Sequence, residues 1–296
     1  MTATKYDYAV TVLTPAYNRG VLLKQLYTSL TKQTNKNFQW LIIDDGSTDD
    51  TKKIVTSFSR TIFPLEYHYK ENGGKHTALN YSHPFIRGEL VIIVDSDDYL
   101  TEDAIETIIS DWEKYRNDSK ISGFSFLRMR KNGLILSETP PKDYYISDFI
   151  HYRVNQNIGG DQCEVTRTDV FKEFLFPVYS NERFMSEGIL WRAIGKKYKT
   201  VYRSKPIYVC EYLDGGLTKS GRVFRMKNPY GMLENCRSFF YPEIKLRIKI
   251  KEAILYDVYA LCTTEGLAYH VKKSGALGLC LLTMPFGMLF FRKWSS

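Results

Sequence analysis

Three carboxylates fall within four residues at the end of an apolar run. Val91-Ile-Ile-Val-Asp-Ser-Asp-Asp-Tyr99 places Asp95, Asp97 and Asp98 directly after four β-branched residues. A wholly apolar strand is the pattern of one buried on both faces, as in a parallel sheet covered by helices. Open α/β sheets bind their ligands at the carboxyl ends of such strands. Clustered carboxylates repel one another unless a cation or hydrogen-bond donors compensate. Asp-x-Asp at a strand end therefore points to a hard divalent ion, Mn2+ or Mg2+, held by few protein oxygens and completed by phosphate. The competing structural account is that Asp97 or Asp98 caps a helix starting near Glu102.

The elements that must position these carboxylates repeat one pattern. A strand at 9–13 runs into Thr14-Pro-Ala-Tyr-Asn-Arg19, and a helix over 21–32 follows, its apolar face made by Leu22, Leu23, Leu26, Tyr27 and Leu30. A strand at 39–43 ends in Asp44-Asp-Gly-Ser-Thr-Asp49, and one at 65–69 leads into Glu71-Asn-Gly-Gly-Lys-His76. Strand, loop and helix in alternation predict an α/β fold with a doubly wound, mostly parallel, Rossmann-like central sheet flanked by helices. Every post-strand loop then lies on one edge, which gathers Tyr17, Asp45, Lys75 and Asp97. An aromatic ring can stack on a nucleobase, a carboxylate can accept the imide N–H of uracil, and an ammonium can meet phosphate oxygens. Gly73-Gly74 lets the backbone approach a phosphate closely. Singly, each has a structural explanation: packing for Tyr17, an Asp-Gly turn for Asp45, a simple bend for the glycines. Four at successive strand ends point to a nucleotide crevice.

Thr-Pro-Ala-Tyr-Asn, Ile-Ile-Asp-Asp-Gly-Ser-Thr-Asp and Val-Asp-Ser-Asp-Asp, in that order, resemble the nucleotide-sugar-binding half of family 2 inverting glycosyltransferases. The resemblance is strong over roughly the first 115 residues and implies the GT-A fold. Asn72-Gly-Gly-Lys-His76 and Glu211-Tyr-Leu-Asp-Gly-Gly-Leu-Thr218 look similar to the branch that builds bacterial capsules and other surface polysaccharides. By that resemblance Pro15, Tyr17 and Asp45 hold the uridine of a UDP-sugar, Asp95 faces the ribose, Ser96 belongs to the nucleotide-sugar site, Asp97 meets the metal and Asp98 is a candidate second ligand. Inverting transfer also needs a base for the acceptor hydroxyl. The family places it at the start of a later helix, often as Glu-Asp; this chain has Glu187-Gly188. Glu187 is the first choice, with Glu182 and Asp161 behind it, although an acid in a first helical turn is favourable on electrostatic grounds alone. Lys219 and Arg222, in a basic loop, are the residues expected to close on the diphosphate. The Gln-x-x-Arg-Trp motif of processive synthases is absent.

Beyond the first half the alternation loosens. Residues 121–129 and 133–137 read as a hairpin around Lys131-Asn-Gly, 147–152 as a short helix, and 199–202 and 207–212 as two strands. A helix capped by Ser186 turns Ile189, Leu190, Ala193 and Ile194 to a core. The expected division is a glycosyltransferase domain over 1–225, with its nucleotide-sugar half at 1–115 and its acceptor half at 116–225, and a helical membrane-associating region over 226–296.

The formal charge of +8 suits an anionic partner, and with no recognised nucleic-acid motif the expected ones are nucleotide and phospholipid. Five scattered cysteines support neither zinc nor a disulfide framework, and the first eight residues have no signal-peptide character. Residues 243–251 alternate basic and apolar side chains, as a basic amphipathic helix. Residues 275–291 are almost wholly apolar between Lys272, Lys273, Arg292 and Lys293, slightly short for a span, and Pro285 and Gly287 should interrupt them. That composition suits a segment in the headgroup interface, on the cytoplasmic face of the cell membrane, where a lipid-linked saccharide acceptor is presented; the competing account is a core helix pair packed on the domain. Assembly as a homo-oligomer or with a partner glycosyltransferase is compatible with all of this. Two rival readings are a sugar nucleotidyltransferase, which needs a Gly-rich loop that Thr14–Arg19 lacks, and a non-catalytic partner subunit, which Gly188 keeps open.

Overall fold

The computed structural model describes residues 6–210 and 221–295. The chain divides into two compact units: Met1–Asp148, Ile158–Leu175 and Lys197–Glu211 form the first, and Phe149–Asn157, Phe176–Lys196 and Tyr212–Ser296 the second. The division is not the single cut at 225/226 expected from the sequence, because two earlier segments belong with the C-terminal helices.

The first unit is built on nine strands: β1 (Tyr8–Ala16), β2 (Phe38–Asp45), β3 (Leu65–Lys70), β4 (Gly88–Ile93), β5 (Tyr99–Leu100), β6 (Ile121–Arg130), β7 (Tyr145–Ser147), β8 (Gln162–Arg167) and β9 (Lys199–Cys210). Its helices are α1 (Gly20–Thr31), α2 (Thr51–Thr56), α3 (Lys75–Ser82), α4 (Ala104–Tyr115) and α5 (Thr168–Lys172). The strand order is β3-β2-β1-β4-β8-β6-β9-β5, with β7 on β9. Strands β3 to β4 are all parallel, as the alternation predicts. The rest is mixed: β8 enters antiparallel between β4 and β6, and β6 runs parallel to β9. Every residue of β2 is buried, and Val10, Val12, Trp40, Ile42 and Ile92 join Leu23, Leu26, Leu30, Ile105 and Trp112 of α1 and α4 in one core. Each such side chain contributes roughly 1.5–3 kcal/mol by leaving water.

Three local expectations change. The hairpin at 131–133 has no second arm; a lone bridge joins Met129 to Ile135. The segment 147–152 splits between β7 and a single π turn, Ile150–Val154. The two strands around residue 205 are one, β9, which carries register irregularities against β6 rather than a break.

In the second unit α6 (Gly188–Gly195), α7 (Gly221–Met226), α8 (Pro229–Arg237), α9 (Leu246–Ala260), α10 (Leu267–Lys273) and α11 (Leu277–Ser295) are the helices. Met232, Leu233, Cys236, Ala253, Tyr256, Val271 and Cys280 make its core. Residues 246–251 of α9 are not amphipathic, since Leu246 and Ile250 are exposed beside the basic side chains and packing starts at Glu252. Pro285 and Gly287 do not interrupt α11. A Cβ at Gly287 would lie 2.5 Å from the Asp257 Cβ, so the glycine lets α11 press on α9. The Thr283 hydroxyl donates to Asp257 Oδ2 at 2.7 Å just before it. That packing offsets the backbone hydrogen bond that a proline forgoes. Among the described residues no helix is long and apolar enough to cross a membrane.

Candidate active site

Parallel register places the last residues of β1, β2, β3 and β4 at one edge of the first unit. Asp45 ends β2 opposite Lys70, the last residue of β3. Its carboxylate collects the Lys70 ammonium (2.6 Å), the Gly73 and Gly74 N–H groups (3.0 and 2.7 Å), the Asn72 amide (3.2 Å) and the Thr77 hydroxyl (3.4 Å). Asp45 is therefore not an open acceptor: it anchors the Asn72-Gly-Gly loop, and a uracil imide would share it with five donors. Two glycines permit this arrangement: Gly46, after β2, has φ +85° with a Cβ position 2.5 Å from Asn72 N, and Gly74 in the loop has φ +93°. Asn18 and Ser47 tie the β1 and β2 loops together, with Asn18 N–H donating to Ser47 Oγ at 2.9 Å. Tyr17 stands 45% exposed at the tip, whereas Pro15 lies buried inside β1.

Neither Asp97 nor Asp98 caps a helix, because β5 intervenes and α4 starts after Asp103. Asp95 forms an ion pair with Lys75, the first residue of α3. Burial would raise the Asp95 carboxyl, but Lys75 and Arg128 hold it below its ordinary value. Asp97 is half-buried, and burial together with the Asp95 charge raises its pKa. Asp98 is buried and pushed up to about 7, by burial first and then by Asp95. Ser96 is buried between them. Among the described residues no three His, Cys, Asp or Glu side chains form a ready-made metal cage. The donor set still fits a hard cation of the kind that takes one or two carboxylates and completes its shell with water and phosphate. Crowded carboxylates with raised proton affinity are what such a cation would relieve.

Sequence reasoning missed Arg128 and Tyr208. The Asp95 N–H donates to the Tyr208 hydroxyl at 2.9 Å, and that hydroxyl donates to Asp98 Oδ2 at 2.9 Å. The Arg128 guanidinium lies 4.2 Å from the Tyr208 ring centroid, and its Nε donates to the Gln162 carbonyl at 2.7 Å. An Arg following the mostly apolar run of β6 was the available signal for the first; Tyr208 reads as ordinary core.

Asp161 is exposed, one residue ahead of β8, whose antiparallel pairing brings it to the carboxyl end of β4. Glu182 and Glu187 belong to the second unit. Glu182 accepts the N–H groups of Tyr230 (2.8 Å) and Gly231 (2.7 Å) in the first turn of α8, which makes it a helix-capping carboxylate. Glu187 immediately precedes α6 and is half-buried; Ser186 makes no side-chain cap there. The missing second acid has a steric counterpart. A Cβ on Gly188 would lie 2.8 Å from the guanidinium of Arg192, which is buried and pinned by Ser238 (2.7 Å) and Asn235 (2.6 Å). Arg222 sits over the Trp294 ring at 4.3 Å, so an indole face already engages it. Lys219 and the 211–218 motif lie outside the described residues.

A parallel β3-β2-β1-β4 sheet that brings a glycine loop, a lysine and an Asp-x-Asp turn to its carboxyl edge, continued by mixed strands, is the GT-A glycosyltransferase fold. The chain belongs to glycosyl transferase family 2, whose model matches residues 11–173. It is 32% identical over 118 residues to the glycosyltransferase GlyA of Streptococcus pneumoniae, covering 40% of this chain and 17% of that protein. GlyG of the same organism is 24% identical over 223 residues, covering 71% and 73%. The chain thus spans about a sixth of the length of GlyA, and 31% of an uncharacterized Rickettsia felis glycosyltransferase to which it is 31% identical over 193 residues. In structure it is similar to S. aureus TarS 1-349 in complex with UDP-GlcNAc (TM-score 0.59, 19% identity, 86% of this chain and 72% of that one). It is also similar to the mannosyltransferase PcManGT of Pyrobaculum calidifontis in complex with GDP-Man and Mn2+ (TM-score 0.57, 17% identity, 98% and 84%).

Proposed function

We propose that this chain transfers a sugar, with inversion, from a UDP-sugar to a hydroxyl of a lipid-linked saccharide during bacterial cell-surface polysaccharide synthesis. The observation that carries the reading is the convergence, at one strand edge, of the Asp45-anchored glycine loop, the Lys75–Asp95 ion pair and the half-buried Asp97. Tyr17 offers a ring face to the base, the Asn72-Gly-Gly backbone approaches the diphosphate, and Lys75 meets its charge. Glu187 accepts the proton of the acceptor hydroxyl as that oxygen attacks the anomeric carbon. A divalent ion held by Asp97, when bound, would neutralise charge on the departing diphosphate. Binding of UDP-, GDP- and dTDP-sugars, measured with Mn2+ and with chelator, tests the donor: metal-dependent preference for one UDP-sugar is expected. Binding of none would favour the second reading, a non-catalytic partner subunit, for which Gly188 in place of a second acid is the specific support.

The proposed location is peripheral, on the inner face of the cell membrane. Cys280, Thr283 and Gly287 turn α11 inward, while Leu277, Leu281, Leu282, Phe286 and Leu289 are exposed along its outer side, Leu282 at 72%. No acid follows Glu265, and Lys272, Lys273, Arg292 and Lys293 are exposed around this apolar ridge, complementary to anionic headgroups. The unsubstituted chain is expected to float with vesicles containing phosphatidylglycerol. Leu282→Glu with Phe286→Glu should cut the bound fraction at least about tenfold, since two exposed side chains change sign in transfer energy. Undiminished flotation of that double variant would move membrane contact away from α11.

A further inference from the structure

One hydroxyl sits at the centre of the carboxylate turn. Tyr208, fully buried on β9, accepts the Asp95 N–H and donates to Asp98 Oδ2, both at 2.9 Å, so it joins two residues three apart in the loop that follows β4. The Asp98 N–H closes the same turn on the Asp95 carbonyl at 3.1 Å. Arg128 pairs with Tyr208 in the β6–β9 register and lies 4.2 Å from its ring centroid, which packs the phenol in place. A phenylalanine would keep the ring but leave the Asp95 N–H and the buried Asp98 Oδ2 without this partner. Asp98 is 7% exposed, while Asp97 between the two tethered residues is half-buried.

We propose that Tyr208 is a positioning residue for donor binding: it ties Asp98 inward as a strut, so that Asp97 is the carboxylate the turn presents to cation and diphosphate. The inference rests on the nucleotide-sugar reading above and gives Asp98 a different role from the second metal ligand that the family resemblance implies. A strut and a ligand respond differently to substitution. Asp98→Asn keeps an oxygen that can accept from the Tyr208 hydroxyl, whereas Asp98→Ala and Tyr208→Phe break the tie from either side.

Calorimetry of UDP binding to the full chain across a Mn2+ titration separates the two roles. Half-saturating Mn2+ should rise about tenfold in Tyr208→Phe and Asp98→Ala, the effect of losing one hydrogen bond to a charged group, and stay within about threefold in Asp98→Asn. A loss in Asp98→Asn as deep as in Asp97→Asn makes Asp98 a ligand and overturns the proposal, as does an unchanged Mn2+ dependence in Tyr208→Phe. Thermal unfolding identifies any variant that fails to fold; if Tyr208→Phe is one, the contrast between Asp98→Asn and Asp98→Ala decides. Absence of UDP binding by the unsubstituted chain would instead sink the nucleotide-sugar reading itself, and this proposal with it.

Discussion

Asp97→Asn is expected to lower UDP affinity in the presence of Mn2+ by at least about 100-fold while leaving the melting temperature close to that of the parent chain. The substitution keeps the shape and removes the charge. Asp97 is half-buried in a turn whose two neighbouring carboxylates are already committed, Asp95 to Lys75 and Asp98 to Tyr208. Its pKa is raised by burial and by the Asp95 charge, so the apo turn holds that negative charge reluctantly. A cation reverses that penalty, and an amide cannot recruit one equally well. For the same reason the fold should tolerate the change, because neutralising a repelled charge removes strain rather than a partner. Calorimetry with Mn2+ and with chelator measures both states. Equal affinities for the two proteins with Mn2+ would take Asp97 out of the metal site.

The carboxylate turn was legible in the sequence because everything that builds it is local. Four apolar residues bring the chain to the strand end, and Asp-Ser-Asp-Asp follows at once. The same holds for Asp45 and for the Asn72-Gly-Gly loop, each fixed by its own strand and by parallel register. What holds these groups was not legible. Tyr208 reaches Asp95 across 113 positions, brought there by the antiparallel pairing of β5 with β9, which sets Leu100 opposite Tyr208, and Arg128 follows through the β6–β9 register. A strand such as Gln162–Arg167, alternating polar and apolar, announces its existence and not its neighbours. Lys70 was the nearer miss, since the last residue of a parallel strand must stand beside Asp45. The C-terminal helices show the reverse case. Their apolar content was plain, but which face is covered depends on Thr283 and Gly287 meeting Asp257, a packing choice that composition does not encode.

Glu187→Gln is expected to leave UDP-sugar binding intact and to reduce transfer by about 100- to 10,000-fold, the range over which a positioned general base acts. The amide fills the same space at the start of α6 but cannot take a proton. The neighbouring Glu182 should behave in the opposite way. Both its oxygens already hold N–H groups of α8, so Glu182→Gln, which weakens that cap, should lower the melting temperature while sparing turnover per folded molecule. Position 188 supplies a control on the same helix. A Cβ at Gly188 would lie 2.8 Å from the buried Arg192 guanidinium, so Gly188→Asp requires that side chain to shift from its Ser238 partner. Transfer rates are therefore best read against donor affinity for each variant, with melting curves alongside. Near-normal transfer by Glu187→Gln would shift the base to Asp161, which stands exposed at the same sheet edge as the Asp95–Asp98 turn. Lost donor binding in that variant would mean that Glu187 supports the fold of the site and does not act on the acceptor.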